Sequence, residues 1–108
     1  MSSDSDIRVM VCNLLVDIPS ARKGSLCYVV LQNEGHDGDR LFLLIRSRSG
    51  RWIEKWEART RLTNFRVKTI PRENPMWVRL YGGHSVSEAN SHQWRAQRDR
   101  VRQMVRDA

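Results

Sequence analysis

A chain of 108 residues, 40% apolar and 29% charged, has the size and composition of one folded domain. It is too short for two cores and too apolar for wholesale disorder, even at a mean hydropathy of −0.60. The formal charge of +7 and pI near 10.4 point to a polyanionic partner or surface, and the longest apolar runs fall far short of a bilayer span, which excludes a transmembrane helix.

The charge is unevenly spread. Residues 1–39 carry three basic and six acidic side chains (net −3), residues 40–79 eleven and three (net +8), and residues 80–108 five and three (net +2). Sixteen of the nineteen basic residues are Arg, whose planar fork grips phosphate bidentately and stacks on rings. An Arg-favouring codon bias accounts for that ratio as readily as function does. It does not account for the clustering.

In chain order, Met1 to Asp6 reads as a flexible polar lead-in, acidic where a secretory signal needs a basic and then an apolar start. Cys12 and Cys27 are therefore expected as thiols in a reducing intracellular compartment, with cytoplasm, nucleus and organelle matrix undistinguished. Residues 7–16 mix β-branched side chains with partial alternation and read as a strand, a short helix being the alternative. Pro19 and Gly24 bracket a loop. The continuous apolar run at 26–31 reads as an inner strand, and the polar stretch 33–39 joins it to the next strand as an antiparallel hairpin. Glu34, Asp37 and Asp39 in that loop lack EF-hand spacing.

The most apolar run, residues 41–45, is followed by Arg46, Arg48 and Arg51 around Ser49-Gly50, a turn signal, and then by a returning strand at 52–56. Extended chain puts Trp52, Glu54 and Trp56 on one face; a helix starting at Trp52 is the alternative. Residues 57–64 are polar and read as a loop or the end of that helix. Residues 65–70 alternate, with Phe65, Val67 and Thr69 on one side and Arg66, Lys68 and Ile70 on the other. After the break at Pro71 and Pro75, residues 76–81 read as a further strand, ended by Gly82-Gly83. Ser85 and Glu88 form a capping-box pattern, and no Pro or Gly follows, so a helix is expected over 85–107. Its apolar stripe would be Val86, Ala89, Trp94, Val101, Met104 and Val105. Arg95, Arg98, Arg102 and Arg106 would line a second, basic face, with Asp99 spaced to pair with Arg95 or Arg102.

These elements predict an α+β domain over residues 7–108: a mainly antiparallel sheet of about five strands within 7–81, open or curled into a partial barrel, with a C-terminal amphipathic helix over 85–107.

The interleaving of cations with aromatics in the +8 segment predicts a non-catalytic RNA-binding module, a small basic component of a larger ribonucleoprotein. Arg46, Arg48, Arg51, Arg59, Arg61, Arg66 and Lys68 are the candidate phosphate contacts. Trp52 and Trp56 are the candidate stacking platforms, and single strands suit sheet-borne aromatics. The competing reading makes these tryptophans core and the arginines a solubilising rim. Two further alternatives are a protein-interaction subunit of a larger assembly and a single-stranded-DNA-binding protein. No metal or cofactor is expected, because Cys12, Cys27, His36, His84 and His92 contain no local zinc clamp. Cys27, with His84 or His92 as base, is a candidate nucleophile on paper, but a thiol in an apolar strand is ordinarily inert.

Overall fold

In chain order the computed structural model places β1 (Ile7–Leu14), β2 (Leu26–Gln32), β3 (Arg40–Arg46), β4 (Trp52–Ala58), a single 3-10 turn (Arg59–Arg61), β5 (Leu62–Ile70) and the helix α1 (His92–Asp107). It describes residues 7–32, 40–71 and 92–108. The lead-in at 1–6, the acidic loop at 33–39, the strand expected at 76–81 and the capping box at 85–88 lie outside the described residues.

The strands form one antiparallel sheet in the order β4-β3-β2-β1-β5. The first four make a meander, and β5 returns to pair along the free side of β1. Only three residues link β4 to β5, although these are opposite edges of the sheet. A link that short forces the sheet to curl until the two edges come near each other at that end. The sheet nevertheless stays open, since β4 and β5 share no ladder. With α1 packed against it, the architecture is α+β.

Each face of the sheet carries its own apolar cluster. On one face Met10, Cys12, Leu14, Cys27, Val29, Leu41, Leu43 and Ile45 pack with Val101 and Val105 of α1, and Met104 of the helix packs alongside. On the other, Val9, Val11, Tyr28, Val30, Leu31, Leu44 and Ile70 are buried together, with Phe42, Trp52 and Trp56 partly buried against them. Strands buried on both faces need apolar residues at successive positions, which is why β2 and β3 read as unbroken runs in the sequence. The edge strands are less covered: β4 is mostly half-buried, and β5 alternates between exposed and half-buried over Asn64–Lys68.

The β3–β4 hairpin turns through Ser47-Arg48-Ser49-Gly50. Gly50 sits at φ +83°, where a side chain is disfavoured, and its amide donates to the Ser47 carbonyl at 3.0 Å. The turn chemistry thus settles the strand alternative for 52–56.

Two boundaries differ from expectation. β1 ends at Leu14, and Leu15 and Val16 are exposed beyond it. Residues 57–64 are neither loop nor helix end: β4 runs to Ala58, one 3-10 turn follows, and Leu62, Thr63 and Asn64 already belong to β5, pairing Leu62 with Leu14 and Thr63 with Asn13. The reason is a bulge. Between the pairs Val11–Arg66 and Asn13–Thr63, β5 holds one residue more than β1, and Asn64 takes up the excess at φ +58°. Leu62 and Phe65, three apart, therefore reach the same cluster.

Candidate nucleic-acid interface

Alternation along β3, β4 and β5 brings Arg46, Trp52, Trp56, Arg66 and Lys68 to the sheet face opposite α1. Register completes the arrangement, because Arg46 lies directly across from Trp52, and Phe42 from Trp56. The Arg46 guanidinium stands over the Trp52 ring, 5.4 Å from its centroid. Trp52 meets Tyr28 of β2 edge-on with centroids 5.4 Å apart, and Lys68 of β5 lies over Tyr28 at 5.7 Å from its centroid. Arg46, Trp52, Tyr28 and Lys68 thus form one file of alternating cations and rings across the sheet. A cation–ring contact at an exposed site contributes about 0.5–1 kcal/mol, and more where it is desolvated.

Tyr28 itself is buried, and Lys68 Nζ donates to its hydroxyl at 3.3 Å, which satisfies the one polar atom of an otherwise apolar neighbourhood. Trp52 and Trp56 are half-buried: one side of each packs on the second cluster, and Trp56 is tilted 46° against Phe42 at 5.2 Å. Each indole therefore contributes to packing and keeps exposed area.

At the β1–β5 end of this face a polar network holds Arg66. Its Nη1 donates to Asn13 Oδ1 at 2.8 Å and to the Asn64 carbonyl at 2.9 Å. Asn64 Nδ2 donates to the same Asn13 oxygen at 3.1 Å, while Asn13 Nδ2 donates to the Gly24 carbonyl at 3.0 Å.

The remaining candidate cations are directed elsewhere. Arg48 is tied to the β1–β2 loop, its amide donating to the Ser20 carbonyl at 3.0 Å and its Nη2 to the Ile18 carbonyl at 3.3 Å. Arg51 is exposed in the turn. Arg59 stacks over Phe65 at 5.1 Å, and Phe65 belongs to the helix-side cluster. Arg61 donates to Glu57 Oε1 at 3.2 Å. Glu57 is 4% exposed; Lys55 Nζ is 3.8 Å from its Oε2, near enough for charge attraction but too far for a hydrogen bond, and that oxygen is buried with no hydrogen-bond partner. On α1, Arg95, Arg102 and Arg106 are exposed, Asp99 lies 3.7 Å from Arg102, and Arg98 is half-buried with an unpartnered Nε. This second basic face flanks the helix, on the other side of the sheet from Trp52 and Trp56.

Sequence reasoning passed over Tyr28, Asn13, Asn64 and Glu57. Tyr28 had a usable signal, being a polar-tipped residue within an apolar run, where a buried polar atom demands a partner, and Asn13 had a weaker one as a polar residue between apolar neighbours. Asn64 and Glu57 had none, because their roles follow from contacts distant in sequence or from backbone conformation.

The two thiols are free, buried and directly opposed in the β1–β2 ladder. The Cys12 sulfur facing it, then burial, then the charge of Glu57 push the Cys27 thiol, which donates to the Ser25 carbonyl at 3.6 Å, far above its ordinary pKa. That is the reverse of what a nucleophilic cysteine needs. No helix among the described residues is long and apolar enough to cross a membrane, and no group of three or more potential metal ligands occurs among them. No protein-family model, curated protein or solved structure matches the chain.

Proposed function

We propose that this protein is a non-catalytic RNA-binding module that lays a single strand across the sheet face opposite α1, as a small basic component of a larger ribonucleoprotein. The observation that carries the reading is the cation–ring file Arg46–Trp52–Tyr28–Lys68, with Arg66 beside it, on one face of a chain of charge +7. Phosphates would be met by Arg46, Arg66 and Lys68, and a base would stack on the exposed part of Trp52 or Trp56, or on the outer plane of the Arg46 guanidinium. Stacking of that kind is worth about 1–3 kcal/mol per base and tolerates any sequence. Unpaired RNA suits such a surface better than duplex, because rings reach bases only where these are unstacked from each other.

The test is a titration of the full chain with single-stranded RNA, following tryptophan emission at low and moderate salt. The expected result is a change in emission on binding and a linear fall of log affinity with log salt, at roughly −0.7 per phosphate neutralised. Unchanged emission together with salt-insensitive or absent binding would sink the reading. Binding that barely responds to salt, directed to a protein, would favour the assembly-subunit alternative, and equal affinity for single-stranded DNA would remove the preference for RNA.

A further inference from the structure

Arg66 differs from the other cations of the face in being anchored at its base and open at its outer edge. Both hydrogens of Nη1 are committed, one to Asn13 Oδ1 at 2.8 Å and one to the Asn64 carbonyl at 2.9 Å. Asn13 is itself fixed, since its oxygen also accepts from Asn64 Nδ2 and its amide donates to the Gly24 carbonyl. The network ties β1, β5 and the turn before β2 to one guanidinium. It is built on uncharged acceptors, so the full positive charge survives, in contrast to Arg61, whose charge Glu57 offsets. The remaining fork, Nε and Nη2, has the spacing that matches two oxygens of one phosphate. Two residues along the same face of β5, Lys68 adds a second cation held against Tyr28.

Resting on the RNA reading above, we infer that Arg66 is the bidentate phosphodiester contact of the site, that Asn13 and Asn64 are its positioning residues, and that Lys68 serves the neighbouring phosphate. An exposed arginine ordinarily gives up rotamer freedom when it binds. Here that freedom is already restricted in the unliganded protein. The bulge at Asn64 has a function on this view: the left-handed residue turns its carbonyl to Arg66 while its amide reaches Asn13.

The experiment measures binding of the full chain to a fluorescein-labelled oligouridylate across a salt series, for wild type, Arg66→Gln, Arg66→Lys and Asn13→Ala, with urea unfolding of each as a check on folding. Arg66→Gln is expected to lower affinity about tenfold or more at low salt and to reduce the log–log slope by about 0.7, the share of one phosphate on a single strand. Arg66→Lys should regain the slope but stay several-fold weaker, because an ammonium is a point charge without the fork. Asn13→Ala should keep the wild-type slope and weaken binding about three- to tenfold, since the charge remains and only its placement is lost. A purely structural network would change unfolding without separating slope from affinity in this way. Wild type that binds RNA while Arg66→Gln leaves affinity and slope unaltered overturns the subsite and leaves the RNA reading standing. Arg66→Gln that weakens binding while Asn13→Ala does not overturns the positioning role. Wild type that fails to bind overturns both.

Discussion

Cys27 couples a single side chain to the stability of the whole. Its thiol lies in the core across the ladder from Cys12 and donates to the Ser25 carbonyl at 3.6 Å, and the Cys12 sulfur facing it, burial and nearby negative charge all favour the protonated form. In the unfolded chain the same thiol ionises near its ordinary value, about pH 8.5. The folded pKa is the higher of the two, so above about pH 8.5 the unfolded state has released a proton that the native state retains. Stability is therefore complete below that value and falls as pH rises past it, by up to about 1.4 kcal/mol per pH unit from this group. Urea unfolding under reductant from pH 7 to 10 measures the decline. Cys27→Ala should be less stable than wild type at pH 7, from lost packing, yet show a flatter dependence on pH. An equally steep decline in the variant would place the titration on another group.

At the scale of elements, α1 is held to the sheet through its apolar stripe. Val101 and Val105 are buried among the side chains of β1, β2 and β3, Met104 packs beside them, and Arg102 points away, exposed and beside Asp99. Val101→Ala removes the equivalent of two methylene groups from that seam and is expected to cost about 2 kcal/mol in urea unfolding. Arg102→Ala should stay within about 0.5 kcal/mol of wild type, as exposed ion pairs contribute little. The contrast checks that the helix is anchored by its apolar stripe and not by its charges. That stripe was legible in the sequence at Val101, Met104 and Val105, and so were the cores of β2 and β3, the turn at Gly50 and the shared face of Trp52 and Trp56. Each rests on local periodicity or turn chemistry. The start of β5 was not legible, because the left-handed Asn64 puts Leu62 and Phe65 three residues apart on one side and hides the two-residue period. The site was legible only in part for a related reason. A cluster of cations can be read from order along the chain, but Arg48, Arg59 and Arg61 are drawn to Ile18, Phe65 and Glu57, and those attachments follow from how the sheet curls.

At the scale of the whole molecule, two groups of cations among the described residues lie on opposite sides of the sheet. Arg46, Arg66 and Lys68 lie with the rings on one face of the sheet, and Arg95, Arg102 and Arg106 lie on the helix that covers the other. A polyanion attracted by charge alone would settle on either side, since each carries three of these cations and at moderate salt the Debye length of about 8–10 Å screens the far side. A strand seated on the file of cations and rings would sense mainly one. Two variants separate the cases. Arg46→Gln with Lys68→Gln should lower affinity for single-stranded RNA more than tenfold and reduce the salt slope by about 1.4, two phosphates' worth. Arg95→Gln, Arg102→Gln and Arg106→Gln together remove more charge, three units against two, yet should change affinity less than about threefold at moderate salt and leave the slope unaltered. The comparison is informative because the larger loss of charge is expected to have the smaller effect. If the triple variant is the weaker binder, the contact surface lies on the helix side, and the aromatic face is core with a charged rim.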